Sequence, residues 1–307
     1  MKQLKAGYNQ GNRNYYLNFK MELTSDEIVI ASLRDAEILH CNLCRICNEC
    51  NDLFMPHYRG EQFYGWDISS GIFRPNLKSM DVEQGKILEK KAILEFERVI
   101  TEKIGDRALR NIYNKTPYGH DWDLLFQSQH AGIKTTLTDW TNQNTRALYF
   151  AVEESPKPEI ENSDAQFWCF MAPIDHLKNV QRGNSLDGNF FHLDPFEIDQ
   201  FMMIDPSVYL DNLNERIFEY RMMRQLGKFW VQPRALTNVP FNQIPEFQNL
   251  LLRVRIPAES KARIRKELEN APNSLTKEHL FYEENPEYDD LIKGINERVF
   301  GEFFTNK

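Results

Sequence analysis

The chain has 307 residues, with 45 acidic and 37 basic side chains and a net charge of −8. It is long enough to bury a sizeable core and too acidic to hold nucleic acid through a general basic surface. Hydrophobic residues make up 41% and charged residues 27%, the balance of a globular rather than a disordered chain. No stretch reaches the roughly 18 apolar residues of a membrane helix, and the opening residues lack the apolar centre of a secretory signal. A cytoplasmic protein with no membrane partner is expected.

Residues 1–35 alternate polar and aromatic groups and read as a lead-in. "TSDEIVIASLRDAEILHCNLCRICNECNDLFM" predicts a helix, with Thr24 and Ser25 as caps ahead of Glu27 and Pro56 as its stop. Within it, Cys41, Cys44, Cys47 and Cys50 fall in steps of three. Two readings stand: ligands for zinc or an iron–sulfur cluster, or small apolar residues on a packed helix. The second is preferred. Steps of three drift by about 60° around a helix, and the run has no Gly or Pro to shape a metal loop.

"HYRGEQFYGWDISSGIF" reads as a strand, a turn and a short extended piece. Residues 81–104 carry Ile87, Leu88, Ile93, Leu94, Phe96, Val99 and Ile100 at helix period. "DWDLLFQSQHAGI" predicts a second helix closed by Gly132. In "TTLTDWTNQNTRALYFAV" a hydroxyl-rich strand leads into an apolar helix over Ala147–Val152. "AQFWCFMAPI" reads as a buried strand and residues 181–213 as a long loop, a lid or an insertion. "RIFEYRMMRQLGKFWVQP" is mixed in pattern. "NLLLRVRIP" is a strand, "AESKARIRKELENA" a charged helix, and the tail ends in another helix. The order of elements predicts a single α+β domain, with a mixed or antiparallel sheet and flanking helices. Its main body would span 36–260, with 261–307 as a helical extension on the same domain.

There is no phosphate-binding Gly-rich loop, no nucleophile elbow and no zinc-protease helix. Four separated pieces instead put polar residues at the edge of apolar elements. In Tyr58–Arg59–Gly60–Glu61 the guanidinium either meets a phosphate or carboxylate, or pairs with Glu61. Arg74 in "GIFRP" has the same two readings. His130, in Gln129–His130–Ala131–Gly132, is either a functional imidazole or a satisfied structural one. Thr135, Thr138 and Thr141 either hold a sugar or fix a core loop, with Asp139 as the cap of the following helix and Trp140 as core. Arg221, Arg224, Gln225 and Gly227 form the fourth piece, the glycine suggesting a close backbone approach.

Together these pieces resemble the three signatures of the FRG domain family. The [F/Y]-R-G motif falls on Tyr58, Arg59 and Gly60. The second signature falls on Gln129, His130, Gly132, Thr135, Asp139, Trp140, Thr141 and Ala147–Ala151. The third falls on Arg221, Gln225, Gly227 and Phe229, and the resemblance covers roughly 36–260. Two positions depart from the pattern: Thr136 stands where an Arg is usual, and Thr138 where a Leu is usual. The order of parts is also similar to that of arginine-class ADP-ribosyltransferases, which implies NAD as substrate, a toxin or defence role and a related core. That likeness would give Arg59 a phosphate or ribose contact and Thr135 the positioning hydroxyl, with Thr141 as rival. Gln225 or Glu219 would take the late polar position, with Tyr58, Gly60, Arg74, His130, Asp139 and Thr141 lining the nucleotide. Because Gln cannot act as a base, binding without transfer stays open. So does a non-enzymatic module whose signatures stabilise the fold while its acidic surface meets a protein partner.

Overall fold

In the computed structural model the described residues are 5–7, 20–22, 28–74, 80–104, 117–179, 192–205, 225–280 and 286–304. In chain order the main elements are strands β1 (Lys5–Gly7) and β2 (Lys20–Glu22), helix α1 (Leu33–Glu49), β3 (Phe54–Glu61), α2 (Val82–Ile104) and α3 (Gly119–Ala131). Then come β4 (Thr138–Thr141), α4 (Asn144–Val152), α5 (Pro158–Glu161), β5 (Ala165–Pro173), β6 (Leu177–Asn179), β7 (Met202–Asp205) and β8 (Gly227–Val231). β9 (Leu251–Ile256) and helices α6 (Ala258–Glu269), α7 (Lys277–Leu280) and α8 (Pro286–Phe300) complete the order. The chain is α+β, with antiparallel strands and flanking helices. No helix among the described residues is long and apolar enough to cross a membrane.

Two compact units can be told apart within the chain. One comprises 1–68, 139–177 and 241–279; the other comprises 69–138, 178–240 and 280–307. α1 and α6 run across residues 35/36 and 260/261.

In the first unit, β4, β3, β5 and β9 lie side by side in antiparallel register, with Tyr58 opposite both Thr141 and Cys169, and Cys169 opposite Leu252. Nine consecutive buried residues make β5 the centre of this sheet, as a strand covered on both faces should be. Helix α1 begins later than expected. Its cap is Ser32, whose hydroxyl accepts from Asp35 N at 3.3 Å, while the Asp35 carboxylate accepts from Ala31 N and the Ser32 hydroxyl. Thr24 and Ser25 lie outside the described residues. The helix also ends before Pro56, because Asn51 and Asp52 adopt left-handed φ of 54° and 55° and turn the chain into β3. Ala36, Leu39, Leu43 and Ile46 form its buried stripe, and it packs on α4 and β3. Helix α4 lies on β3, and α6 packs on α4.

In the second unit, α2, α3, α8 and the antiparallel pair β7–β8 enclose an apolar core. Phe126 stacks on Phe229 with centroids 5.0 Å apart. α3 closes as expected at Gly132, whose φ of 101° is a left-handed helix end. Two expected core residues of α2 face outward: Ile87 and Leu94 are 65% and 62% exposed.

Candidate functional site

Alternation along β3 sends neighbouring residues of the Tyr-Arg-Gly motif to opposite faces of the sheet. Tyr58 is fully buried, stacks on Phe167, and is joined to His40 Nδ1 by a 2.6 Å hydrogen bond through its hydroxyl. Burial pushes the Tyr58 phenol up and the His40 imidazole down, which favours the neutral form of each. Gly60 shares that face, and a Cβ there would stand 1.8 Å from the Ala147 carbonyl oxygen and 2.6 Å from Ala151 N. The glycine is therefore what lets α4 lie flat on the strand.

Arg59 faces the other way. Its Nε donates to Glu61 Oε1 at 2.8 Å and its NH1 to the Asp139 carbonyl at 2.7 Å, with both charged side chains only 9% exposed. Of the two readings open for this arginine, the ion pair with Glu61 is therefore present. Glu61 Oε2 in turn accepts from Gln166 Nε2 at 3.4 Å, and Gln166 also holds the turn after β3 through Gly65 N and the Trp66 carbonyl. Asp139 does not cap α4. It sits in β4, whereas the helix starts at Asn144 behind Gln143, which caps without its side chain. Thr141 Oγ1 accepts from Gln143 N at 3.1 Å, so its hydroxyl steadies the turn into the helix.

The remaining predicted residues that are described belong to the second unit. Thr135 is fully buried and precedes β4 instead of lying on it. Its hydroxyl donates to Gln129 Oε1 at 2.6 Å and accepts from Leu137 N at 3.1 Å. His130 is buried, edge-on to Phe229 with centroids 6.3 Å apart. Among the described residues Gly227 does not mark a close approach, the nearest atom to an added Cβ being His130 Cε1 at 3.9 Å; its left-handed neighbour is Leu226, with φ 46°. Gln225 Nε2 donates to the Leu280 carbonyl at 3.5 Å. Arg74 is exposed. Glu219, Arg221, Arg224 and most of the 181–213 loop lie outside the described residues.

Sequence reading missed two buried ions. Glu89, 1% exposed, accepts from Thr136 N and Oγ1 at 2.6 and 2.8 Å, and pairs with Arg234 at 3.3 Å. Arg234 also donates to the Val82 carbonyl. Burial pushes the Glu89 carboxyl up against the opposing pull of Arg234. The available signal was a carboxylate in step with Gly85, Ala92 and Phe96 on the buried stripe of α2. Lys261, also 1% exposed, donates to the carbonyls of Gln62, Ile160 and Glu161. It too lies in helical step with buried residues, Ile264 and Leu268.

The four cysteines lie on or just beyond α1, Cys41 exposed, Cys44 half-buried, Cys47 and Cys50 buried, all as free thiols. Burial pushes Cys47 up to about 12. Among the described residues no three His, Cys, Asp or Glu side chains gather as metal ligands would. An open depression of about 520 Å³ between the start of α1 and α6 is lined by Arg34, Arg263 and Lys266. A carboxylate already occupies the helix start there, Glu267 accepting from Leu33 N at 2.6 Å.

Residues 56–159 match the family model of the FRG domain, so this stretch of the chain is an FRG domain. The match takes in the whole Tyr-Arg-Gly motif of the first signature and all of the second, and it ends before β5. No curated protein and no solved structure matches the chain significantly.

Proposed function

We propose that the FRG domain of this chain serves a non-enzymatic binding module, its signature residues holding the fold and a ligand face rather than catalysing a transfer. One observation carries the reading. Among the described residues, the three side chains that would take the catalytic positions of a transferase are bonded inside their own units: Arg59 to Glu61 and the Asp139 carbonyl, Thr135 to Gln129, and Gln225 to the Leu280 carbonyl. A transferase accelerates its reaction through donors fixed on the developing charge, and donors already engaged must first be released.

The test is a thermal-shift titration of the full chain with NAD, ADP-ribose and nicotinamide, run beside an assay for nicotinamide release. The module reading expects no shift with NAD or nicotinamide and no release, because a ligand held only by the folded state must raise Tm by mass action. A saturable NAD shift accompanied by release would overturn it in favour of an ADP-ribosyltransferase-type enzyme.

A further inference from the structure

We infer that the Arg59 face of the first unit's sheet is a binding site for an oxyanion carried by a small molecule. The register sets one row across four strands. Arg59 is directly opposite Trp168, and Trp168 is opposite Arg253. Because Tyr58 faces Thr141, the next position on β4, Trp140, stands opposite Arg59. Directly opposed residues carry their Cβ atoms about 5 Å apart, so the row reads Trp140, Arg59, Trp168, Arg253.

Three features of this row point to a ligand. First, the indole Nε1 atoms of both Trp140 and Trp168 are buried and meet no acceptor among the described residues, although their side chains are only 2% and 6% exposed. A buried donor without an acceptor is costly in a native fold, and here two flank one guanidinium. Second, Arg59 uses Nε and NH1 on its protein partners, and no bond from its NH2 is present among the described residues. Third, the row is positive. The row holds two guanidiniums and no carboxylate; Glu61, of the next row, pairs with Arg59, and Arg255 of that row pairs with Asp164.

The row also has a way in. Its Arg253 end is exposed, and the Arg253 guanidinium lies over the Tyr64 ring at 4.6 Å and the Trp168 ring at 5.8 Å, with no ion pair among the described residues. A guanidinium held over aromatic rings keeps its N–H donors for acceptors beside it, and its planar fork suits phosphate and carboxylate. Acceptor oxygens are what two indole N–H groups and spare guanidinium N–H groups all require. A cationic group satisfies none of them, and a neutral carbonyl or hydroxyl oxygen accepts such bonds without countering the charge.

The experiment uses the indole N–H signals of the isotopically labelled full chain, which has five tryptophans. Trp140→Phe and Trp168→Phe assign two of the five. Sodium phosphate and sodium acetate are titrated separately against sodium chloride at matched ionic strength. The site predicts saturable movement of the Trp140 and Trp168 signals while those of Trp66, Trp122 and Trp230 stay still. Saturation with phosphate alone assigns a phosphorylated ligand, and with acetate alone a carboxylate. Arg253→Gln, at an exposed position that leaves the core intact, weakens the response about tenfold through loss of the fork. If either assignment variant fails to fold, the other and Arg253→Gln still identify the pair. No movement with either anion, an equal drift of all five signals, or an adventitious response that Arg253→Gln leaves unchanged overturns the proposal.

Discussion

The two faces of β3 are built from adjacent residues and differ in how completely they are satisfied. On the Tyr58–Gly60 face every position is closed: the phenol is bonded to His40 and the glycine is pressed against the main chain of α4. On the Arg59 face the charge is countered, yet two buried indole donors have no acceptor among the described residues. A face without spare donors or space can only hold the fold. A face with buried, unsatisfied donors carries a local cost that a ligand can relieve.

The contrast is broken most forcefully at Gly60. Gly60→Ala drives a Cβ into backbone that cannot yield cheaply, and should cost about 4 kcal/mol or more, read as loss of soluble protein or of the urea transition. Glu61→Ala comes next, because it strands a buried guanidinium. A loss of about 3 kcal/mol in denaturant unfolding is expected, and a loss under about 1 kcal/mol would show that water already serves Arg59. Tyr58→Phe removes one buried hydrogen bond while keeping the ring stacking, for a cost of about 1 kcal/mol.

A pH series probes the same closed face. Burial holds His40 below its ordinary value of 6.5, so the unfolded chain takes up a proton first as pH falls. The stability this contributes is fully present above 6.5 and is lost as pH drops through that value toward the lower folded one. His40→Gln should flatten that part of the melting profile. The smallest effect belongs to Arg253→Gln, on the open face, which should change stability by less than about 0.5 kcal/mol even though it changes anion binding.

Legibility in the sequence followed the range of the interactions. The β5 and β9 strands and the α2, α3 and α6 helices could be read because hydrophobic period is a local property. The Arg59–Glu61 pair was visible as an alternative, since residues two apart share a strand face. The purpose of Gly60 was not, because it depends on Ala147 and Ala151 of a helix nearly ninety residues away. Asp139 suggested a cap by composition, but the chain spends Gln143 on that position and Asp139 on the strand. The row of Trp140, Arg59, Trp168 and Arg253 exists only once three strand registers are known, and no spacing in the sequence announces it.

The division of each unit among three chain segments governs how the protein emerges from the ribosome. β3 leaves the exit tunnel long before β9, its partner across β5, has been translated. At ordinary synthesis rates that interval is roughly 10–40 s. Once translated, β5, apolar along its buried length but for Gln166, waits with one edge unpaired for about the last 4–16 s of that interval. The nascent chain therefore offers chaperones an unpaired strand edge until β9 emerges.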